Sequence, residues 1–165
     1  MGYSVVGEDR IIASNKGLDF LFYSAAPLAF ERLLVGANDE IIDIKIFNEG
    51  NSLAVASNNN QVRIFDVPSM ACRVLGGHKD IVLSVDVSSD GTIIASASKD
   101  NSLRLWDSAT GKCVATCVGH TECVGSVALS RRSNEFLVSG SQDKTLKMWN
   151  LAEALSSSTS CLGSR

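Results

Sequence analysis

Serine, histidine and aspartate recur in this chain at fixed spacings, and these three residue types can together carry out hydrolysis. In hydrolases the serine is the nucleophile, the histidine takes its proton and the aspartate orients the histidine. Two sets share one pattern, with a tryptophan six residues after the aspartate: His78, Ser98, Asp100 and Trp106, and His120, Ser141, Asp143 and Trp149. A second serine, Ser96 or Ser139, precedes each aspartate by four residues, and spacing alone leaves open which serine joins each set.

The duplication of the set argues against catalysis. An enzyme needs one active site, whereas here the same residue types return once per stretch of about 40–45 residues. We therefore expect no catalytic residue in either set.

Signals for other chemistry are weak. The five cysteines are an odd number without a CxxC pair, and the two histidines lack the spacing of zinc ligands. His120-Thr121-Glu122 resembles the HxE of zinc deaminases, but no PCxxC follows it. Neither GxGxxG nor GxxxxGK is present. We expect no metal, no cofactor, no small-molecule substrate, and reduced thiols such as those of the cytosol or nucleus.

Charge and hydropathy restrict the class of partner. The net charge is -3, with 6 basic and 9 acidic side chains in residues 1–75 and 9 of each in residues 76–165. This balance lacks the basic excess of a nucleic-acid-binding surface, so any RNA contact should be indirect or weak. The longest apolar-rich run, residues 20–30, is well short of the roughly 20 residues of a membrane helix, and no secretory signal is evident. The sequence predicts no membrane contact.

The elements that must position these residues repeat along the chain. Gly77-His78 returns as Gly119-His120 after 42 residues, and Trp106 lies 41 residues after Phe65 and 43 before Trp149. Short apolar runs alternate with turns rich in Gly, Asn, Asp and Ser, which is typical of consecutive hairpins. Apolar residues occupy both parities of runs such as residues 93–95, which indicates sheets that are covered on both faces. Only Leu151 to Leu155 could form a helical turn.

This period, with its Gly-His and Trp-Asp pairs, resembles WD repeats, the units of β-propellers. The resemblance implies an all-β fold, a partial WD-repeat β-propeller with about three four-stranded antiparallel blades and an N-terminal remnant. It also implies that the histidine, aspartate, serine and tryptophan form a buried hydrogen-bonded network in each blade. The repeat before Gly77 has Ala37, Asn59 and Phe65 at the three corresponding positions, so we expect its blade to be the weakest.

The expected organisation follows from the same offsets. Residues 1–9 are a lead-in, and residues 10–151 form the partial propeller. Its parts are a blade remnant at 10–35, with the second, third and fourth strands of a blade, and three blades at about 36–75, 77–118 and 119–151. The last of these blades lacks its final strand. Residues 152–165 are predicted to be a disordered, serine-rich tail. Since propellers have 4–8 blades, we expect a fragment or truncated isoform of a longer protein.

The sequence of three stretches, residues 33–41, 77–87 and 136–149, resembles that of the family of transducin beta-like protein 3, also called U3 small nucleolar RNA-associated protein 13. This resemblance implies a nucleolar, noncatalytic scaffold of the small-subunit processome, which matures 18S rRNA. Its partners would be other WD-repeat subunits. Because WD repeats occur with unrelated functions, an adaptor elsewhere, such as a ubiquitin-ligase substrate receptor or a signalling scaffold, is the alternative.

Overall fold

A computed structural model describes residues 39–132 and 135–156 with their side chains. It also describes the backbone of the strands that lie within residues 3–35 and of a short strand at 161–162. The described chain consists of β-sheets, antiparallel apart from one two-residue parallel pairing, with a single short helix, which confirms the predicted all-β class. This helix is too short to cross a membrane.

The first sheet has four strands in sequential order. They are β1 Tyr3–Val6, β2 Arg10–Ser14, β3 Asp19–Ala25 and β4 Leu28–Val35. The strand β1 lies in the segment that we expected to be a loose lead-in, and it pairs with β2 over its whole length. The expectation of a three-stranded remnant is therefore wrong, because a fourth strand completes this sheet.

The second sheet is the first whose side chains are described. Its strands are β5 Ile41–Phe47, β6 Ser52–Ser57, β7 Gln61–Asp66 and β8 Cys72–Gly76. The turn between β5 and β6 passes through the left-handed region at Asn48, Glu49 and Gly50. Asparagine and glycine tolerate this conformation, so the turn falls where the sequence predicted it.

The third sheet is built from four consecutive antiparallel strands, with two register shifts in their pairing. Its strands are β9 Val82–Val87, β10 Ile93–Ser98, β11 Ser102–Asp107 and β12 Cys113–Val118. Its first turn approaches the first turn of the second sheet. Gly91 has a φ of +73°, a backbone conformation that favours glycine, and a Cβ there would lie 2.5 Å from the Asn48 side-chain oxygen and displace that side chain.

The fourth sheet has three strands. They are β13 Val124–Leu129, β14 Phe136–Ser141 and β15 Leu146–Asn150, after which the helix α1 Leu151–Ser156 begins. A final strand, β16 Cys161–Leu162, pairs in parallel with β12 at the edge of the third sheet. Residues 152–156 of the helix and the two residues of β16 lie in the segment predicted to be disordered, so for them that prediction is wrong.

The sheets pack face to face, and the core lies between them. One apolar cluster joins the second and third sheets and includes Val62, Val85 and Trp106. Another joins the third and fourth sheets and includes Leu103, Leu105 and Trp149. All of β10 except its first residue is buried, as expected for a strand covered on both faces.

Candidate functional site: the polar network of each blade and the contacts between blades

The polar network of the third sheet is centred on His78, which lies just before the sheet begins. Its Nδ1 lies 2.9 Å from Asp100 Oδ2, and its Nε2 lies 2.8 Å from Ser96 Oγ. Trp106 Nε1 donates to the same serine oxygen at 2.8 Å. Since the indole can only donate, the consistent arrangement has the serine hydroxyl donating to Nε2 and Nδ1–H donating to the carboxylate.

The fourth sheet repeats this arrangement closely. His120 Nδ1 lies 2.7 Å from Asp143 Oδ2, and Nε2 lies 2.8 Å from Ser139 Oγ, which also accepts a bond from Trp149 Nε1 at 2.8 Å. In both sheets the histidine and tryptophan rings meet edge to face, with centroids 6.2 Å apart. The structure therefore brings together the histidine, aspartate and tryptophan of each predicted set.

The structure identifies a different serine from the one selected in each set. Ser98 Oγ donates to the backbone oxygen of Asp80 at 2.9 Å and accepts from the Asp100 amide at 3.1 Å. Ser141 makes the equivalent bonds with the backbone of Glu122 and Asp143. Both serines therefore fix loops, and the residues that contact the rings are Ser96 and Ser139. Strand parity could not decide between them, because residues two apart point to the same face.

The aspartates also bind the turns around them. Asp100 Oδ1 accepts bonds from the amide and hydroxyl of Ser102, and Oδ2 accepts one from the Lys79 amide. Burial acts to raise the pKa of Asp100, but hydrogen bonds from His78, Ser102 and Lys79 outweigh it and hold that pKa well below its usual range. The pKa of Asp143 is lowered in the same way, most strongly by Thr145, against the effect of burial. Both carboxylates are ionised at neutral pH.

The connectivity Ser96–His78–Asp100 is that of a hydrolase triad, but its surroundings differ. Ser96 is fully buried, and its oxygen already accepts the Trp106 N–H. A nucleophile must reach a substrate carbonyl, and a hydroxyl enclosed between two packed sheets cannot. The arrangement can hold a turn, two strands and a loop together. The network therefore has a structural role.

The second sheet replaces this network with apolar packing. Val55 occupies the position of Ser96, and together with Phe65 it belongs to a buried apolar cluster. Asn59, at the aspartate position, donates to Asp39 Oδ2 at 2.6 Å. Ala37, at the histidine position, lies outside the described residues. The expectation that this repeat relies on apolar packing agrees with the Val55 and Phe65 contacts, whereas its lower stability stays a prediction.

Sequence reasoning missed the polar contacts that join neighbouring sheets. Asp43 on β5 accepts bonds from the Ser84 hydroxyl at 2.9 Å and the Val85 amide at 3.0 Å, both on β9. Asp86 on β9 accepts bonds from the Leu129 amide and the Arg131 guanidinium, each at 2.8 Å. An aspartate between Val85 and Val87, in a strand expected to be covered on both faces, was a signal that could have revealed the second contact.

The four cysteines whose side chains are described, Cys72, Cys113, Cys117 and Cys123, are free thiols. Cys72 pairs with Phe65 and Cys113 pairs with Trp106 across their strands, so both occupy the same slot of successive repeats. Both are exposed, so neither is a core packing residue. Within the described residues, no group of three or more His, Cys, Asp or Glu side chains could hold a metal ion.

Comparison with known proteins identifies the class. The family described as "WD domain, G-beta repeat" matches residues 70–107 and 111–150, which contain β11, β12, β14, β15 and the two aspartate–tryptophan pairs. The chain therefore belongs to the WD-repeat proteins, and its sheets are the blades of a partial propeller.

The particular similarity is to transducin beta-like protein 3, as the resemblance predicted. The chain is 37% identical to the Mus musculus protein over 151 residues, which cover 89% of the chain and 19% of that relative. It is 41% identical to the Bos taurus protein over 141 residues, or 83% of the chain and 18% of the relative. For the Homo sapiens protein the identity is 37% over 149 residues, with 88% and 18% covered. The chain thus spans about a fifth of the length of these relatives.

Proposed function

We propose that this chain acts as a noncatalytic WD-repeat scaffold of the small-subunit processome, in the maturation of pre-18S rRNA. Its partners would be other WD-repeat subunits, and its location would be the nucleolus. The observation that carries this proposal is the 37–41% identity to transducin beta-like protein 3, which extends over most of the chain instead of one repeat. As functional units we propose blades at residues 36–75, 77–118 and 119–151.

The physical character of the blades supports a scaffold. The polar networks of the third and fourth sheets are buried, so what the protein offers to others is the surface of its loops and strands. The carboxylate of Asp43 connects β5 to β9, and the carboxylate of Asp86 connects β9 to β13, so these three sheets are fixed relative to one another. Rigid placement of loops favours binding, because little conformational entropy is lost on association.

The charge pattern favours proteins over RNA as direct partners. Basic and acidic side chains are balanced in the second half of the chain and acidic ones prevail in the first half. Phosphate backbones are bound mainly through clustered lysine and arginine, and the affinity falls steeply with salt. We therefore propose that association with the pre-ribosomal particle depends on protein contacts.

Affinity purification of the tagged chain, with and without ribonuclease, tests this proposal. We expect WD-repeat subunits of the processome to be recovered in both samples, and the tagged chain to be found in the nucleolus. Recovery of cullin-type ligase subunits without processome subunits would refute the proposal in favour of the adaptor alternative. Loss of all partners after ribonuclease treatment would refute the proposed protein contacts.

A destabilised variant provides the control. Replacing Trp106 and Trp149 by alanine empties two buried sites in the blades, and each such change costs about 3–5 kcal/mol. This variant should lose the partners that the native chain recovers. If it recovers the same proteins, their association does not depend on the folded blades and the proposal fails.

A further inference from the structure

A cavity lies where the turns after the first strands of three successive sheets meet. Its volume is about 550 Å³, which is within the range of ligand-binding pockets. The turn after β5 contributes Asn48 and Glu49, the turn after β9 contributes Asp90 and Gly91, and Arg131 follows β13. The first two turns approach closely, since a Cβ at Gly91 would lie 2.5 Å from the Asn48 side-chain oxygen. The cavity is therefore formed by the packing of three sheets.

The floor of the cavity is apolar. Phe47 and Val87 line it, and both are buried in the core between the second and third sheets. Ile46 also lines the cavity at the end of β5. These side chains form no hydrogen bonds, so they favour the hydrocarbon part of a ligand over its polar part.

The basic residue that lines the cavity, Arg131, is held by groups of the protein itself. Its Nη2 donates to Asp86 Oδ1 at 2.8 Å, and its Nη1 donates to the Val87 oxygen at 3.1 Å. Lys45 also approaches Asp86, with Nζ 4.0 Å from Oδ1, but it does not line the cavity. The guanidinium therefore compensates a buried carboxylate and adds little positive charge to the cavity.

Two carboxylates supply negative charge to the cavity. Glu49 and Asp90 are both exposed. Hydrogen bonds from the Ser88 hydroxyl and the Thr92 amide lower the pKa of Asp90 against the effect of burial, so it is ionised at neutral pH. All of its side-chain bonds to described residues end on Oδ1, which leaves Oδ2 available to a ligand.

Asn48 adds an uncharged acceptor. Its Nδ2 donates to Ser52 Oγ at 3.2 Å, and its oxygen is the atom near Gly91, which also lines the cavity. Acceptors at three separate points thus surround an apolar floor. A planar guanidinium suits this arrangement better than an ammonium, because it has five donors and is more weakly hydrated.

We propose that this cavity binds an arginine side chain of a partner protein. The guanidinium pairs with the carboxylates of Glu49 and Asp90, and the hydrocarbon stem lies against Phe47 and Val87. Because both carboxylates are exposed, the binding weakens as salt concentration rises. The inference depends only on the chemistry of the cavity, so it stands whether or not the partner belongs to the processome.

A pair of short peptides tests the proposal on the full chain. The probe is acetyl-Gly-Ala-Arg-Ala-Gly-amide, and its control has citrulline, which is similar in size and uncharged, in place of arginine. Amide chemical shifts of the isotopically labelled chain are followed by NMR as each peptide is added. We expect saturable shifts in residues 46–49 and 88–91 with the arginine peptide, and about tenfold weaker binding of the citrulline peptide.

Two outcomes of the titration would overturn the proposal. The first is the lack of saturable shifts in these two turns. The second is equal affinity for the two peptides, because the cavity would then not recognise the charge of the guanidinium.

Variants of the protein give a second, independent readout. Glu49→Gln with Asp90→Asn removes both charges and keeps an acceptor oxygen at each position, so it should weaken binding of the arginine peptide by about tenfold or more. Glu122→Gln is the matched control, since Glu122 is an exposed acidic residue that precedes β13, at the opposite end of that strand from the cavity. It should leave the affinity unchanged.

Thermal unfolding by circular dichroism shows whether the double variant is folded. If it is not, Glu49→Gln alone decides, because it changes only an exposed side chain. This single variant should weaken binding by about threefold. An affinity equal to that of the Glu122→Gln control, in either the double or the single variant, would refute the site.

Discussion

Replacing His78 by alanine removes the centre of the polar network in the third sheet. The imidazole bridges the carboxylate of Asp100 and the hydroxyl of Ser96, and it packs edge to face against Trp106. After the change, Ser96 still accepts the Trp106 N–H, and Asp100 still accepts bonds from Ser102 and Lys79. Two hydrogen bonds and the packing of the ring are lost, while no partner becomes entirely unpaired.

The magnitude follows from these losses. A hydrogen bond to a charged group contributes about 1.5–3 kcal/mol and one between neutral groups about 1 kcal/mol. The loss for His78→Ala should therefore be about 3 kcal/mol in the free energy of unfolding. For a chain of this size, that corresponds to a decrease in the melting temperature of about 6–12 °C. Thermal unfolding followed by circular dichroism measures the melting temperature, and urea titration measures the free energy of unfolding.

Matched variants decide whether the network is the cause. Lys79→Ala changes an exposed side chain next to the same loop and should alter stability by less than about 0.5 kcal/mol. His120→Ala should cost as much as His78→Ala, because its contacts are nearly the same. Ala37→His should not raise the melting temperature much, since Val55 and Phe65 offer no polar partner. The reasoning is refuted if His78→Ala is no more destabilising than Lys79→Ala, or if Ala37→His stabilises by a similar amount.

Three further predictions concern the same contacts. The pKa of Asp100 is held below its usual range in the folded chain, so its contribution to the free energy of unfolding is fully present above about pH 4 and is lost as the pH falls toward the folded pKa. Asp100→Asn should therefore be less stable than the native chain at pH 7. In an acid titration, its free energy of unfolding should decrease less steeply than that of the native chain. Asp86→Ala should lower the free energy of unfolding, measured by urea titration, by about 1–3 kcal/mol, because it leaves the buried Leu129 amide without its acceptor. A smaller loss for Asp86→Ala than for Arg131→Ala would contradict this reason. Ser96→Ala should cost about 1–3 kcal/mol and alter the fluorescence of Trp106, and an unchanged spectrum would count against the indole–serine bond.

The network has a consequence for how the blades differ. In the third and fourth sheets, one histidine connects the loop before the first strand to the second strand and to the turn that follows it. In the second sheet, Val55 and Phe65 fill the equivalent space with apolar atoms. Apolar packing depends less on direction than hydrogen bonds do, so the second sheet is held with less directional specificity than the third and fourth.

The sequence determined the blade period and all of the strands except β1 and β16. Turn residues such as Asn48 and Gly91 occupy left-handed backbone conformations, and apolar runs between them become strands wherever both faces can be buried. The pairing of His78 with Asp100 and of His120 with Asp143 was also accessible, because the same spacing appears twice. Local chemistry and repetition were sufficient for these features.

Only the tertiary structure decided which serine joins each network. Ser96 and Ser98 lie on the same face of β10, so the choice depends on how far the loop carrying His78 reaches along the strand. The contacts of Asp43 and Asp86 likewise required the relative placement of neighbouring sheets. The exposure of Leu146 has the same origin, because whether an apolar side chain is covered depends on which part of the chain lies beside it. Burial is a property of neighbours in space, and distant parts of the chain supply those neighbours.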